Sequence, residues 1–193
     1  DQAEASALME LVERYSLFSF WEDESRFEHL TWSEARQRFG DRLIPVGEML
    51  QSVNEEISAN QAEKVLDLVR WRFCTAWHIR EQSERILPLD WFKKLNEFNG
   101  SSAGNTLEEA VLQGGCELVE RHVSALIDRG RPVLPTLDPE SFRDPVLLEL
   151  WRAFIEQGIR VRLKDFSLGM GVPTVGVLAY DPGTFPGLSE IVL

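Results

Sequence analysis

The pentapeptide ELVER occurs twice in this chain, at residues 10–14 and again at residues 117–121. The copies lie 107 positions apart (117 minus 10), and this offset also aligns their surroundings. It pairs Gln2, Ser6, Glu10, Glu13 and Arg14 with Glu109, Gln113, Glu117, Glu120 and Arg121. Steps of three and four residues keep side chains on one face of a helix. The repeat therefore predicts two similar helices, each with a polar stripe that includes two carboxylates.

Between the polar positions, both copies contain mainly small or apolar residues, such as Leu8 and Leu11 in the first and Val111 and Leu118 in the second. A helix on a protein surface is usually charged over its outer half. The apolar surround therefore predicts that both helices are buried. An unpaired carboxylate in such surroundings costs several kcal/mol, and two neighbouring carboxylates also repel each other.

Divalent cations would relieve this cost, and Mg²⁺ in particular binds carboxylate and phosphate oxygens. We therefore predict that four glutamates face one another and hold magnesium ions: Glu10, Glu13, Glu117 and Glu120. Arg14 and Arg121 follow on the adjacent faces, placed for salt bridges or for bidentate contact with phosphate. An alternative stays open, because Glu and Arg at this spacing also form plain ion pairs on structural helices.

The start of the second helix offers further candidates. Thr106 and Glu109 fit a capping box, so Glu109 is a cap residue or a ligand contact. Asn105 is a turn residue or touches a ligand at the helix N-terminus. Gly114 and Gly115 each cost about 1 kcal/mol relative to alanine within a helix. Their presence predicts a close approach of another backbone or a ligand, or close helix packing alone.

The formal net charge of −12 argues against a nucleic-acid partner and against binding to an anionic membrane. No segment approaches the roughly 20 apolar residues of a membrane span. Cys74 and Cys116 lie in apolar sequence, which predicts buried free thiols and a reducing cytoplasm. The motifs GxGxxG and GxxxxGK[ST] do not occur, and the three histidines have no metal-ligand spacing.

Hydrophobic periodicity predicts an α/β or α+β fold. Helices are expected at residues 2–21, 90–98, 106–129 and 145–157, with short helices and loops between residues 22 and 60. Strands are expected within residues 64–78 and at 85–89, 159–167 and 174–181, with a turn at residues 80–84. The small-residue loop NGSSAGN precedes the second repeat helix, and the final stretch PGLSEIVL lacks a closing element.

The segment NGSSAGNTLEEAVLQGGCELVERHVSAL resembles the YcaO family, whose core has a small-residue loop, an Asn and a helix of the form LEEA…E..ER. SALMELVERYS resembles an earlier helix of that family, and VRLKDFSLGMGVPTVGVLAY resembles its strand–loop–strand segment. The resemblance covers essentially the whole chain and implies a YcaO-like fold, a mixed sheet with helices. In it, the two pseudo-repeated acidic helices form a Mg-ATP site.

The family resemblance also implies an enzyme that uses ATP and Mg²⁺ to activate an amide of a peptide or protein substrate. Known outcomes are azolines, amidines and thioamides, and some members assist methylthiolation of a ribosomal protein. The match to the family motifs implies that the four glutamates named above are the metal ligands. The implied nucleotide contacts are Asn105, Glu109, Arg121, Arg14 and Ser6, the last two by weaker analogy. Which residue acts as a catalyst is open.

Family features before the first motif and after the last strand are missing from the sequence. We therefore expect residues 1–193 to be one YcaO-like domain truncated at both ends, with halves at 1–100 and 101–193. The fragment is expected to bind ATP weakly or not at all, even if the full-length protein is an enzyme. The resemblance also suggests a homodimer and a peptide-recognition or sulfur-transfer partner. The competing hypotheses are a non-catalytic YcaO-like module that binds a peptide or partner, and a plain structural domain.

Overall fold

Helix ends in this chain follow local capping signals. In the computed structural model, which describes residues 2–53 and 56–184, the hydroxyl of Thr31 and the carboxylate of Glu34 form a capping box at the start of one helix. Gly40, with φ of +55°, follows the end of that helix. In chain order the helices are α1 (Gln2–Glu22), α2 (Trp32–Phe39), α3 (Val46–Met49), α4 (Ala59–Leu66), α5 (Leu89–Asn96), α6 (Leu107–Gly130) and α7 (Pro145–Glu156). The strands are β1 (Glu28–Leu30), β2 (Trp71–His78), β3 (Ser83–Pro88), β4 (Thr136–Leu137), β5 (Arg160–Asp165) and β6 (Val175–Tyr180).

The four long predicted helices and the four main predicted strands are confirmed. The predicted turn at residues 80–84 extends too far, because Ser83 and Glu84 belong to β3. The strand expected within residues 64–78 is β2, which begins at Trp71, and residues 64–66 instead form the end of α4, a helix that was not predicted. A capping box between Ser58 and Gln61 starts that helix, and its apolar residues Ala62 and Leu66 are buried on one face. β1 was not predicted, because three residues are too short for a periodic signal. The C-terminal PGLSEIVL lies outside the described residues.

The strands form two three-stranded sheets, ordered β1-β2-β3 and β4-β5-β6. This confirms the α+β class, but in place of one mixed sheet every strand pair is antiparallel. Turn residues 79–82 join β2 to β3, and such a short connection permits only antiparallel pairing. Within the described residues, an isolated parallel bridge joins Leu43 to Ile86 of β3.

Two units divide the chain, Asp1–Gly114 and Gly115–Leu193. In the first, α2, α3, α4 and the β1-β2-β3 sheet enclose a core whose most buried members include Trp32, Ala35, Met49 and Phe73. In the second, Val123 and Ile127 of α6 are buried, as is Lys164 on β5. The Lys164 ammonium group donates hydrogen bonds to the Leu134 carbonyl and the Thr136 hydroxyl. No helix within the described residues is both long and apolar enough to cross a membrane.

The prediction that both repeat helices are buried is wrong. α1 has no buried residue, and Leu11 and Tyr15 are 65% and 73% exposed. Partial burial follows one face only, through Met9, Glu13 and Leu17. α6 is buried at Gly114, Val123 and Ile127 and is otherwise largely exposed. Apolar sequence alone was not enough to predict burial, because the described residues supply a packing surface for only one side of each helix.

The prediction for the thiols is correct in part. Both cysteines are free, but Cys116 is exposed because it lies on an outward side of α6. Cys74 on β2 is half-buried, and burial raises the pKa of its thiol. The structure thus supports a sheltered thiol at Cys74 only.

Arg72 at the start of β2 connects α1 to the sheet and to α5. Its guanidinium contacts the Asp90 carboxylate at 2.6 Å and donates to the backbone carbonyl of Trp21, near the end of α1, at 3.1 Å. It also lies 5.3 Å from the centroid of the Phe27 ring. Burial tends to raise the pKa of Asp90, but the hydrogen bonds from Arg72 outweigh it and lower that pKa below 3.8. Arg72 therefore helps to fix the C-terminal end of α1.

We expect Asp90→Asn to lower the free energy of unfolding at pH 7 by about 1–2 kcal/mol, below the value for a fully buried pair because the Asp90 side chain is 37% exposed. Since the pKa of Asp90 is lower in the folded state, its contribution is complete well above pH 3.8 and is lost as the pH falls through the folded-state pKa. Urea unfolding at a series of pH values from neutral to acid should show the two proteins converging. Asp41→Asn is the control, since that carboxylate has no hydrogen bond or ion pair within residues 2–53 and 56–184. A difference that stays constant with pH would contradict the assignment.

Candidate functional site

A groove runs along α1 in the first unit. One side is the partly buried face of α1, and the other is the loop of residues 101–106 with the first turns of α6. It consists of two clefts of about 630 Å³ and 490 Å³ that share Met9, Ala103, Gly104 and Asn105. We call these two clefts the α1 groove. Their volumes lie within the range typical of sites for small molecules.

Four of the predicted site residues line the α1 groove. Ser6, Asn105 and Glu109 line the smaller cleft, while Glu13 and Asn105 line the larger one. Gln113, which the 107-residue offset pairs with Ser6, lies in the smaller cleft beside it. Residues about 100 positions apart in sequence are thus brought together within one unit.

Glu13 is the most sheltered acidic side chain of the first motif, with 16% of its side chain exposed, against 67% for Glu10. One oxygen of the Glu13 carboxylate accepts a hydrogen bond of 2.7 Å from the Ser101 hydroxyl. The expectation that all four glutamates lie in an apolar interior is therefore wrong for Glu10. Glu10 follows Met9 on the outward side of α1, where solvent hydrates its charge.

Arg14 is shared between the two glutamates of its own motif. Its guanidinium nitrogens lie 3.6 Å from a carboxylate oxygen of Glu10 and 3.6 Å from one of Glu13. The same group stacks over the Phe98 ring, 4.9 Å from the ring centroid, a typical cation–π distance. Its Nη1 is buried without a hydrogen-bond partner in the described chain. Arg14 therefore has unused hydrogen-bonding capacity next to Glu13.

The Glu109 side chain caps the start of α6, as the capping-box alternative predicts, but it accepts its hydrogen bond from Asn105 and not from Thr106. Its backbone N–H donates to the Thr106 hydroxyl at 3.2 Å, and its carboxylate accepts from the backbone N–H of Asn105 at 2.8 Å. A regular capping box would return to Thr106 itself. The shift stabilises the turn that places Asn105 in both clefts.

Gly114 shows the predicted close approach, and Gly115 does not. A Cβ atom on Gly114 would lie 2.6 Å from the Gly100 carbonyl oxygen and 2.9 Å from the Ser102 hydroxyl. A Cβ on Gly115 would meet nothing within 4 Å. Of these two glycines, only Gly114 is therefore needed for the loop to pack on α6.

The second ELVER motif, in the second unit, repeats the local geometry of the first. Arg121 lies 3.7 Å from a Glu117 carboxylate oxygen, the same i, i+4 pairing as Glu10 with Arg14. The sheltered glutamate differs, however, because Glu117 is 23% exposed whereas Glu120 is an exposed residue. These ion pairs are what the structural alternative predicts, so they do not by themselves indicate a ligand.

The donor groups suit a hard cation. Glu10, Glu13 and Glu117 offer carboxylate oxygens, and Ser6 and Asn105 offer a hydroxyl and an amide, all of which are ligand types that Mg²⁺ accepts. Within neither unit do the described residues gather three or more His, Cys, Asp or Glu side chains as a metal site.

Sequence reasoning missed Ser101, Phe98 and Ser102. Ser101 contacts Glu13, Phe98 supports Arg14, and the Ser102 hydroxyl donates to the Ala110 carbonyl at 2.5 Å. The NGSSAGN loop was recognised only as a run of small residues. Its two hydroxyl groups were the available signal, because serines in a loop before a helix find partners on neighbouring backbone or carboxylates.

Comparison with known proteins identifies the family of this chain. The sequence matches the family described as YcaO cyclodehydratase, ATP- and Mg²⁺-binding, over residues 1–192. This description is that of an ATP-binding enzyme family. The chain belongs to the YcaO family.

Individual similar proteins are consistent with this family assignment. An uncharacterized protein of Methanothermobacter thermautotrophicus is 29% identical over 93% of this chain and 45% of its own length. The ribosomal protein S12 methylthiotransferase accessory factor YcaO of Escherichia coli is 32% identical over 50% of this chain and 17% of its own. A solved heterocyclase in complex with substrate and cofactor superposes with a TM-score of 0.67 and 25% identity, over 92% of this chain and 26% of that one. The chain thus spans less than half the length of the relatives it matches.

Proposed function

We propose that the α1 groove and the second ELVER motif bind ATP with magnesium ions, and that the full-length protein uses the ATP to activate a backbone amide of a peptide or protein. One observation carries the proposal: Ser6, Glu13, Asn105 and Glu109, chosen from the family motifs, line a single groove. Membership of an ATP- and Mg²⁺-binding family supports it.

The proposed residue roles follow the chemistry of the side chains. The proposed nucleotide contacts are Ser6, Arg14, Asn105, Glu109 and Arg121. The metal ligands are Glu10, Glu13, Glu117 and Glu120. Bound magnesium would neutralise charge on the phosphate groups of ATP. Glu13 is the least exposed of these side chains, and its carboxylate accepts a hydrogen bond from the Ser101 hydroxyl.

The proposed reaction joins the terminal phosphoryl group of ATP to an amide oxygen of the substrate and releases ADP. The amide carbon becomes electrophilic, a thiol, hydroxyl, amide or sulfide attacks it, and phosphate leaves. Azolines, amidines or thioamides are the corresponding products. The accessory-factor relative suggests that a ribosomal protein is another possible substrate class. Phosphoryl transfer of this kind needs mainly positioning and charge neutralisation from the protein.

A second candidate function is a non-catalytic module that binds a peptide or partner protein. The exposed apolar side chains of α1, Leu11 and Tyr15 among them, favour it, since exposed apolar surface often marks an interaction site. The intact glutamates of both motifs favour catalysis instead, because a binding module has no need of four. A homodimer in the cytoplasm, with a peptide-recognition or sulfur-transfer partner, is part of the proposal.

The proposal includes a prediction about the 193-residue chain by itself. Mg-ATP at millimolar concentration should raise the melting temperature of the full-length protein, because a ligand that binds the folded state stabilises it. The isolated chain should show little or no shift, since family regions flanking the motifs contribute nucleotide contacts. Differential scanning fluorimetry with Mg-ATP, and with Mg²⁺ alone as control, measures both. Equal stabilisation of the two proteins would refute the predicted incompleteness, and no shift in either would refute the ATP site.

A further inference from the structure

Glu13 has one hydrogen-bond donor among the described residues, the Ser101 hydroxyl. The two residues are separated by 88 positions and belong to α1 and to the loop before α6. Ser101 lies 2.7 Å from one carboxylate oxygen, and the Glu13 side chain is only 16% exposed. The contact therefore connects the two walls of the α1 groove.

The loop is held so that Ser101 reaches α1. The backbone N–H of Ser101 donates to the Phe98 carbonyl in a tight turn, and Gly100 in that turn has φ of +83°, which favours glycine. The Gly100 carbonyl rests on Gly114 of α6, where a Cβ atom would come within 2.6 Å of it. The position of the Ser101 hydroxyl is thus fixed from α6.

The Ser101 hydroxyl has one proton and two acceptors in reach, the Glu13 carboxylate at 2.7 Å and the Phe98 carbonyl at 2.8 Å. An ionised carboxylate is the stronger acceptor, since charge-assisted hydrogen bonds are roughly twice as strong as neutral ones. The Ser101 hydroxyl therefore donates its hydrogen bond to the Glu13 carboxylate, and this bond restricts rotation of that carboxylate.

Arg14 competes for the same carboxylate oxygen. Its Nη1 is buried without a hydrogen-bond partner and lies 3.6 Å from that oxygen, just beyond hydrogen-bond distance. A carboxylate free to rotate would close this gap and form a direct ion pair with Arg14. Such an ion pair would occupy the lone pairs that a cation needs.

We propose that Ser101 is a positioning residue that keeps the Glu13 carboxylate apart from Arg14 and available to a divalent cation. The proposal rests on the proposed role of Glu13 as a metal ligand and names a residue that is not among the predicted metal ligands or nucleotide contacts. Ser101 itself contacts neither metal nor nucleotide in this account.

The test is the dissociation constant for Mg²⁺ in the presence of ATP, measured by isothermal titration calorimetry on the full-length protein, with the Mg²⁺ concentration that half-saturates ATP hydrolysis as a second readout. In Ser101→Ala it should rise about tenfold, the loss typical when a residue that orients a metal ligand is removed, while Ser101→Thr, which keeps the hydroxyl, should stay within about twofold of wild type. Ser102→Ala is the matched control, because that hydroxyl donates to the Ala110 carbonyl instead of a carboxylate. Melting temperatures show whether each variant is folded.

Several outcomes would overturn the inference: an unchanged Mg²⁺ requirement in Ser101→Ala, an equal rise in Ser102→Ala, or a failure of Ser101→Thr to restore the wild-type value. Glu13→Gln in the same assay distinguishes this failure from that of the proposed function. If Glu13→Gln raises the Mg²⁺ requirement and Ser101→Ala does not, only the role of Ser101 is wrong. If Glu13→Gln also leaves it unchanged, the metal-ligand role of Glu13 is wrong and the inference falls with it.

Discussion

Glu13→Gln in the full-length protein should lower kcat/KM for ATP hydrolysis by about 100-fold, a barrier change of about 2.7 kcal/mol, which is within the several kcal/mol that a metal ion contributes to charge stabilisation. Glutamine keeps the size of the side chain and can still accept the hydrogen bond from Ser101. It loses the negative charge that a divalent cation requires. The effect should therefore fall on metal-dependent chemistry and leave folding intact.

The matched control for this prediction is Glu108→Gln. Glu108 lies in the first turn of α6, is exposed and carries the same charge, but it lines neither cleft of the α1 groove. Steady-state ATP hydrolysis at several Mg²⁺ concentrations should show wild-type behaviour for this control. If Glu13→Gln keeps wild-type kcat/KM, Glu13 is not a ligand of the catalytic metal.

The adjacent glycines of α6 should respond to alanine in opposite directions. Gly114→Ala should lower the free energy of unfolding by about 1–3 kcal/mol, the usual cost of overpacking, because its Cβ would meet backbone of the Gly100 turn. Gly115→Ala should raise it by up to about 1 kcal/mol, because alanine favours the helix and the added Cβ meets nothing within 4 Å.

Urea unfolding of the two single variants measures this difference, and each variant serves as the control for the other. Gly114→Ala should also displace the loop that carries Ser101, so the full-length variant should need more Mg²⁺ for ATP hydrolysis. Similar changes in stability for the two variants would show that the close contact between Gly114 and the loop is not maintained in solution.

The fold was largely predictable where the sequence contains local signals. Thr106 marks the start of α6, Gly158 with φ of +79° follows α7, and the turn at residues 79–82 joins two periodic strands. The end of α4 at residues 64–66 was not predicted, because an alternating apolar pattern fits the end of a capped helix as well as a strand. Periodicity cannot choose between the two without the capping box of Ser58 and Gln61.

The candidate site was predictable in its residue types and less so in its environment. The 107-residue repeat identified both ELVER motifs, and the structure gives them the same Glu–Arg pairing. Their burial was overestimated, because the number of apolar residues on a helix does not reveal how much surface is available to cover them. Contacts between distant segments, such as Ser101 with Glu13 and Phe98 with Arg14, leave no trace in local sequence.

The central claim is that glutamates of both motifs hold the same magnesium ions. Titration of the full-length protein with Mg²⁺ in the presence of ATP, for wild type, Glu13→Gln, Glu120→Gln and the double variant, tests this claim most directly. Ligands of shared ions are coupled, so the double variant should bind Mg²⁺ little worse than the weaker single variant. Losses that simply multiply in the double variant, or unchanged binding in all three, would contradict the claim.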